Sequence, residues 1–325
     1  MSRKALFIGI DQYDNFPSLN CCVADANAMQ LLLEKNENGS DNFAGDIYTS
    51  PSSQPITRRF LREKINRLFA SDFNGDALFY FAGHGTASEY DGYLVTQDGE
   101  VGDYGVPMNE LLDAANKSQA NSVLLILDCC HSGHAGNPPN LQVITSKHSQ
   151  LREGVTILAA SKPTQESFEV NGHGVFTQLI LGALAGGAAD VRGRVSAASV
   201  YAYTEEALTN SGRQRPLYKS HAERLPPLRF CNPTVENSDL CLLPEIFKSP
   251  TAIVVMDPSF EHTSLENNPE NIELFNKFKS FRNAGLLVTE YGNDLYYSAL
   301  ASEGVRLTKL GQFYWKLATD GIIKI

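Results

Sequence analysis

The stretch SVLLILDCCHSG, residues 122–133, decides the fold class, because a wholly apolar run leads directly into an acid, two thiols and an imidazole. Such an uninterrupted apolar run is typical of a strand buried on both faces of a sheet. Comparable runs lie at residues 5–10, 77–83 and 155–160. Patterns of helical period lie between the first three of the four runs, at 24–35, 57–70 and 108–117. Buried strands that alternate with helices predict an α/β fold with a mostly parallel sheet covered on both faces.

Reactive side chains follow two of these predicted strands. His84 comes directly after the run at 77–83, and the adjacent thiols end the stretch quoted above. Because ligands of such sheets bind at the carboxyl ends of the strands, we expect the imidazole and a thiol to meet at one edge. Gly83 and Gly85 flank the histidine, and their lack of Cβ lets the backbone approach a ligand carbonyl. The pattern favours thiol catalysis over a hydrogen-bonded core histidine.

Strand alternation distinguishes the two cysteines. Side chains two residues apart along a strand share a face, which places Cys130 beside Asp128 and turns Cys129 to the opposite face. A free cysteine on a helix-covered face usually packs as a small apolar residue. We therefore expect Cys130 to be the reactive thiol.

Two motifs in a fixed order suggest a family. The GHG at 83–85 and the DCCHSG at 128–133 place His84 46 residues before Cys130. This arrangement resembles the caspase-like cysteine peptidases, and specifically their bacterial metacaspase and orthocaspase branch. The resemblance extends from residue 3 to about residue 230. It implies a caspase-like (caspase-haemoglobinase) fold, a three-layer sandwich with a mostly parallel sheet.

The resemblance also implies roles for the residues of the two motifs. His84 matches the general base and acid, and Cys130 matches the nucleophile that forms a thioester. The backbone amides of Gly85 and Cys130 match the oxyanion hole. The implied activity is that of a cysteine endopeptidase.

The specificity pocket implied by the resemblance is acidic. Asp25 and Asp128 would line it together with Cys22, which precedes Asp25 by one helical turn, and with Ser161 or Glu166 from the loop after the last predicted strand. Two carboxylates in a partly desolvated pocket repel each other unless a cation lies between them, so a substrate Arg or Lys fits. A helix cap is the alternative role for Asp25.

A long segment follows the predicted nucleophile, and it has no clear periodicity. Loops of this length are usually functional or disordered, and residues 134–153 lie where caspase-like enzymes commonly place their processing segment. Lys147 and Arg152 are its candidate cleavage sites. By family analogy, the chain would be a zymogen-type effector in prokaryotic cell death or anti-phage defence.

Composition narrows the partners and the compartment. The 27 basic and 37 acidic residues give a formal charge of −10, which disfavours nucleic acid as a partner. No apolar window is long enough to cross a membrane and no cleavable leader is apparent, so we expect a cytoplasmic protein with reduced thiols. Protein substrates with a basic residue before the scissile bond are the expected partners.

The sequence predicts no cofactor and no metal site. The contiguous Cys129, Cys130, His131 and His134 cannot easily form a tetrahedral zinc site, and no second ligand pair has suitable spacing. Calcium activates several metacaspases, but this chain lacks the consecutive aspartates typical of them. That leaves calcium dependence open, with Asp91, Asp98 and Asp103 interpreted as solvated loop acids.

Three segments are expected along the chain. Residues 1–230 form the peptidase domain, 231–250 a linker, and 251–325 a small α+β module compatible with a winged-helix-like fold. In the module, Thr308 is the expected N-cap of a last helix. The helix would carry an apolar face made of Leu310, Phe313, Tyr314, Leu317 and Ala318. The module would regulate the peptidase or bind an activator, and the alternative function is a scaffold that acts through it.

Overall fold

The chain folds into two compact units, which are described separately. The computed structural model describes residues 2–87, 92–131, 151–160, 169–170, 172–210, 216–223 and 225–324. The first unit contains Met1–Ala189 and Arg194–Cys231, and the second contains Asp190–Gly193 and Asn232–Ile325.

Twelve strands are described in the first unit, and most of them belong to one central sheet. Their bounds are β1 (Arg3–Ile10), β2 (Ala44–Ser50), β3 (Asp76–Ala87), β4 (Gly92–Glu100), β5 (Asp103–Pro107), β6 (Ser122–His131), β7 (Val155–Ala159), β8 (Glu169–Val170), β9 (His173–Gly174), β10 (Arg194–Val195), β11 (Leu217–His221) and β12 (Arg229–Phe230). The central sheet has the order β11-β7-β6-β3-β1-β2, and β4 and β5 extend it from the end of β3. Strands β2, β1, β3, β6 and β7 run parallel, whereas β11 is antiparallel.

Helices cover both faces of this sheet. They are α1 (Cys22–Glu34), α2 (Arg58–Leu68), α3 (Met108–Lys117), α4 (Val175–Gly182), which continues into a π-helical turn at Ala183–Gly187, and α5 (Ala197–Asn210). Residues of α2 and α3 pack in one apolar cluster, and residues of α1, α4 and α5 pack in another on the opposite face. The predicted α/β fold with a doubly covered, mostly parallel sheet is confirmed. No helix in the described ranges has the length and apolar content needed to span a bilayer.

Strand β6 divides its side chains between the two clusters as alternation requires. Leu125, Leu127 and Cys129 belong to the cluster with α2 and α3, whereas Leu124 and Ile126 belong to the cluster with α1 and α4. Only 5% of Cys129 is exposed. The expectation that this cysteine packs in the core is confirmed.

Several acids expected in loops lie in strands instead. Strands β4 and β5 form an antiparallel pair that contains Asp98 and Asp103. The Asp98 carboxylate accepts a hydrogen bond from the backbone N–H of Arg58 at the start of α2 (3.0 Å), and Asp103 forms an ion pair with the Arg58 side chain. Both acids are exposed, so the expectation that they are solvated is confirmed, but they lie in strands and contact the first residue of α2. Asp91 lies outside the described residues.

The second unit is a small α+β fold, as expected, but it begins earlier than predicted. Its elements are α6 (Asn237–Cys241), α7 (Leu243–Ile246), β13 (Ile253–Val255), a 3₁₀ turn at Pro258–Phe260, α8 (Pro269–Asn283), β14 (Leu287–Thr289), α9 (Leu295–Leu300), β15 (Gly304–Leu307) and α10 (Lys309–Thr319). The strands form an antiparallel sheet in the order β13-β15-β14.

The segment 231–250 is not a linker. Leu240, Leu243 and Phe247 are fully buried in the core of the second unit. The polar and proline residues around them suggested a linker, yet Leu240 and Leu243 are buried on two short helices and Phe247 is buried directly after the second. The first unit accordingly ends at Cys231, and almost all of the predicted linker belongs to the second unit.

The last helix has the predicted cap but a different buried face. The Thr308 hydroxyl accepts a hydrogen bond from the Gly311 N–H, which confirms the N-cap. Tyr314 is buried, but Leu310 and Phe313 are 43% and 53% exposed. The helix packs against the backbone of Leu286 through Gly311, where a Cβ would lie only 2.0 Å from the Leu286 carbonyl oxygen. This close approach turns Leu310 and Phe313 outward.

Replacing Phe247 tests whether residues 231–250 belong to the core. Phe247→Ala should destabilise the second unit by about 3–5 kcal/mol, because it leaves a cavity where a fully buried ring packs. Trp315 is the single tryptophan of the chain, and its indole N–H donates to the Phe247 carbonyl, so tryptophan fluorescence during urea unfolding reports on this unit. Lys248→Ala, at an exposed neighbour, is the control. Equal unfolding midpoints for the two variants would restore the linker interpretation.

Candidate active site

The predicted histidine and cysteine lie side by side at the carboxyl end of the sheet. The parallel register of β3 and β6 pairs His84 with Cys130, and the next pair is Gly85 with His131. Neighbouring strands are about 4.8 Å apart, so the two backbones hold the residues within reach of each other. Cys130 is described through its backbone here, and its side chain lies outside the described part of the chain.

The loop after β1 forms a socket for His84, of which 3% is exposed. The ring atom Nε2 lies 2.7 Å from the Pro17 carbonyl oxygen, and the backbone N–H of His84 donates to the Tyr13 hydroxyl at 2.8 Å. The ring of Tyr13 packs on the imidazole with 4.7 Å between centroids. The sequence analysis missed Tyr13 and Pro17, although both lie in the polar stretch that follows the first predicted strand.

The contact with Pro17 fixes which nitrogen of His84 can act as a base. A carbonyl oxygen only accepts, so Nε2 carries the hydrogen and the neutral ring presents the lone pair of Nδ1. Among the described residues, Nδ1 has no hydrogen-bond partner. Burial lowers the pKa of His84, which favours the neutral form at neutral pH. The histidine is thus held ready to accept a proton at Nδ1.

Asp128 belongs to the predicted specificity pocket. The Thr177 hydroxyl holds it directly, and the Tyr80 hydroxyl holds Thr177. The Thr177 hydroxyl donates to Asp128 Oδ2 at 2.6 Å, and the Tyr80 hydroxyl lies 2.6 Å from Thr177 Oγ1. Because the single hydroxyl hydrogen of Thr177 is used on Asp128, Tyr80 must donate to Thr177. Asp128 therefore lies at the end of a directed relay from β3 through α4. Thr177 and Tyr80 were not predicted as site residues.

Asp25 reaches the same place from the first turns of α1, and only 2% of it is exposed. Its Oδ1 lies 2.7 Å from His173 Nδ1, and its Oδ2 accepts the Gly174 N–H at 3.2 Å. A Cβ on Gly174 would lie 3.1 Å from Asp25 Oδ2 and 3.4 Å from Asp128 Oδ2. Strand β9 therefore passes close to both carboxylates, and the two acids converge on one point.

The acid pair has unusual electrostatics. Burial and the nearby Asp128 raise the pKa of Asp25 to about 7, and burial also raises the pKa of Asp128. In the described part of the chain, no lysine or arginine forms an ion pair with either carboxylate. A site with two desolvated carboxylates and no basic partner favours a cationic ligand.

The remaining pocket residues have different outcomes. Cys22 is buried at the start of α1, and its backbone N–H donates to Asp11 Oδ1 at 2.8 Å. Asp11 thus holds the amino end of this helix, whereas the Asp25 side chain is directed to His173 and Gly174. The helix-cap alternative for Asp25 is therefore wrong. Ser161 and Glu166 lie outside the described residues.

The two candidate processing residues also differ. Lys147 lies outside the described residues. The Arg152 guanidinium donates to the carbonyls of Ala120 (2.7 Å) and Ala115 (3.3 Å) and to the Ser118 hydroxyl (3.2 Å). Arg152 therefore ties the start of β7 to the end of α3. A protease would have to extract this side chain before it could use it.

No three His, Cys, Asp or Glu side chains within the described ranges come together in a geometry that could hold an ion.

Removing the donor to Asp128 should have a pH-dependent cost. Thr177→Val keeps the shape of the side chain but leaves the buried carboxylate without that hydrogen bond. The pKa of Asp128 is higher in the folded chain than in the unfolded chain, so the free energy of unfolding falls as pH rises. Thr177→Val raises the folded-state pKa of Asp128 further, so the free energy of unfolding falls more steeply with pH in the variant. We expect a loss of about 1–3 kcal/mol at pH 8 and a smaller loss at pH 5, from urea unfolding followed by circular dichroism.

Thr156→Val is the matched control, because the buried Thr156 hydroxyl bonds to Ser220 and not to an acid. Its cost should be the same at the two pH values. Equal losses at pH 5 and pH 8 for Thr177→Val would contradict the role of this hydroxyl as a donor to an ionised Asp128.

Comparison with known proteins adds the family. The sequence model of the Caspase domain family matches residues 2–225. Metacaspase-6 of Arabidopsis thaliana is 32% identical over 148 residues, which cover 41% of this chain and 39% of that protein. The match therefore spans well under half of the relative's length.

One solved structure shares the fold. A crystal structure of a Geobacter sulfurreducens protein matches with a TM-score of 0.52 at 19% identity, over 71% of this chain and 100% of the other. The structure of pro-Sf-caspase-1 matches with a TM-score of 0.48 at 14% identity, over 70% and 94% of the two chains. Together with the paired His84 and Cys130, the match over residues 2–225 shows that the chain belongs to the caspase domain family of cysteine peptidases.

Proposed function

We propose that the chain is a cysteine endopeptidase that cleaves proteins after Arg or Lys. The observation that carries this proposal is the convergence of two buried carboxylates, Asp25 and Asp128, beside the strand ends that pair His84 with Cys130. The acids select the residue before the scissile bond, and the thiol attacks its carbonyl group. Two residues of β6, separated by one position, thus supply charge selection and chemistry.

The reaction follows from the tautomer of His84. Nδ1 takes the proton of the Cys130 thiol, and the thiolate attacks the substrate carbonyl carbon. Backbone N–H groups of Gly85 and Cys130 stabilise the oxyanion. The C–N bond then breaks as His84 returns the proton to the leaving amine, which leaves a thioester on Cys130. Water, deprotonated by the same imidazole, hydrolyses the thioester and restores the thiol.

The Pro17 carbonyl supports each proton transfer. It keeps Nε2–H in place, so the ring cannot rotate away, and it stabilises the imidazolium that forms when Nδ1 is protonated. The Tyr13 hydroxyl accepts a hydrogen bond from the backbone N–H of the same histidine, and the Tyr13 ring packs on its imidazole. The base is thereby positioned by groups that do not touch the substrate.

A guanidinium or ammonium group satisfies the acid pair better than any neutral side chain. It relieves the repulsion between Asp25 and Asp128 and donates hydrogen bonds to their oxygens. An acidic side chain would add a third negative charge to the same buried site. The charge of the substrate side chain therefore affects binding to this pocket more than its shape does.

Two fluorogenic peptides that differ only in Arg or Asp before the scissile bond test this function. We expect cleavage of the Arg peptide, with kcat/KM at least about a hundredfold above that of the Asp peptide, since desolvated like charges cost several kcal/mol. Cys130→Ala should abolish cleavage, and Cys129→Ala, the matched control, should keep most of it. Preference for Asp, or activity that depends on Cys129, would overturn the proposal.

Processing in the segment 134–153 is part of the same proposal. Because four acceptors engage the Arg152 guanidinium, Lys147 is the better candidate for cleavage by the chain itself or by a partner. Lys147→Ala should remove a cleavage that wild type shows on gels and that Cys130→Ala lacks. Arg152→Ala should leave the cleavage in place while lowering the unfolding midpoint. Cleavage that depends on Arg152 and not on Lys147 would contradict this assignment.

Two broader expectations stay predictions from the family resemblance. One is a role as a regulated effector in prokaryotic cell death or antiviral defence. The other is that the second unit regulates the peptidase or binds an activator.

A further inference from the structure

Strand β9 holds one of the two acids of the pocket, and no step of the proposed reaction uses its histidine. His173 lies 148 residues after Asp25 in the chain, yet its Nδ1 lies 2.7 Å from Asp25 Oδ1. When Asp25 is ionised its carboxylate only accepts, so Nδ1 then carries a hydrogen and donates it. The side chain of His173 is 27% exposed, whereas that of Asp25 is 3% exposed. A half-buried imidazole therefore bonds to an acid that solvent barely reaches.

Asp25 receives one donor from β9 on each oxygen. His173 bonds Oδ1 and the Gly174 N–H bonds Oδ2, which fixes the plane of the carboxylate. The same glycine lies close to Asp128 Oδ2. The orientation of Asp25 relative to Asp128 is thus determined by β9 and not by α1 alone.

The surrounding groups oppose ionisation of Asp25. The titratable groups that face it are Asp128 from β6, His173 from β9, Cys22 on its own helix, and Tyr80 from β3. Burial and Asp128 raise the pKa of Asp25, whereas the bonds from His173 and Gly174 lower it. The hydrogen bond of His173 has a larger effect on this pKa than its charge has. Among these groups, His173 is the one side chain that favours the charged acid.

We propose that His173 is a specificity-determining positioning residue, whose Nδ1–H holds the Asp25 carboxylate and so sets the lowest pH at which the pocket accepts a basic side chain. This inference rests on the proposed function, because it concerns the same pocket. By this inference, β9 determines the pH above which both Asp25 and Asp128 are ionised.

The direction of the pH effect follows from the state of Asp25. Protonated Asp25 offers one charge fewer to a substrate cation, so affinity for Arg rises as pH rises through about 7. Loss of the His173 donor raises the pKa of Asp25, and the rise in affinity moves to higher pH. A hydrogen bond to a charged group corresponds to a shift of about one pH unit.

Binding to Cys130→Ala separates this effect from catalysis. Two peptides that span a cleavage site, with Arg or its neutral isostere citrulline before the scissile bond, are titrated against the full chain by calorimetry from pH 5.5 to 9. In the Cys130→Ala background, the ratio of the citrulline Kd to the arginine Kd should rise through about pH 7. Adding His173→Ala should move this rise about one unit upward, while citrulline binding changes little.

His173→Asn is the conservative variant, because its amide N–H can replace Nδ1–H without carrying a charge. It should restore most of the shift, since the hydrogen bond outweighs the charge. His221→Ala is the matched control, because the exposed His221 bonds only to the Leu151 carbonyl among the contacts described for its ring. It should leave the ratio unchanged at every pH. Should His173→Ala fail to fold, His173→Leu removes the donor and keeps the volume.

The outcomes separate the two proposals. An unchanged pH midpoint in His173→Ala, or in its leucine substitute, would overturn the role of His173 and leave the proposed function intact. A ratio near one at every pH in the parent would overturn selection of a basic side chain and hence the proposed function itself. A midpoint shifted by His173→Ala and largely restored by His173→Asn would support both.

Discussion

The parallel hydrogen-bonded pairing of β3 and β6 is the constraint on which the rest of the site depends. Ten consecutive residue pairs, from Asp76 with Ser122 to Gly85 with His131, fix one strand against the other. A slip by one residue would move every side chain of β6 to the opposite face. It would bury Asp128 against α2 and α3 and expose Cys129 to the pocket. The apolar side chains on both faces prevent this slip, so core packing determines which cysteine lies beside the histidine.

The same packing makes ionisation of the acid pair costly. Asp25 and Asp128 are nearly inaccessible to solvent, and each raises the cost of ionising the other. Hydroxyl and imidazole donors offset part of this cost without supplying a fixed positive charge from a lysine or arginine. In the proposed function, a basic substrate side chain supplies the positive charge that the two buried carboxylates lack. The proposed discrimination by charge depends on burial, and a solvent-exposed pair would lack it.

A different interaction fixes the tautomer of His84, namely its hydrogen bond to one backbone carbonyl. The Pro17 carbonyl decides the tautomer of His84, and burial decides its charge. Both leave Nδ1 of the ring without a hydrogen-bond partner among the described residues. His84 and Asp25 are thus held by separate groups, His84 by the loop after β1 and Asp25 by β9. A change in one set should leave the other in place.

The sequence alone determined the α/β fold, the positions of the long buried strands along the chain and the burial of Cys129, because these follow from apolar period and strand alternation. It also indicated Asp25 and Asp128 through the family resemblance. Local patterns could not reveal β2, β4 and β5, whose polar residues resemble loops, or the core role of Phe247 in a proline-containing segment. Only the tertiary structure decided that Thr177 and His173 hold the two acids. Those contacts join residues 49 and 148 positions apart, and such pairs are set by how the helices and strands pack, which no local pattern records.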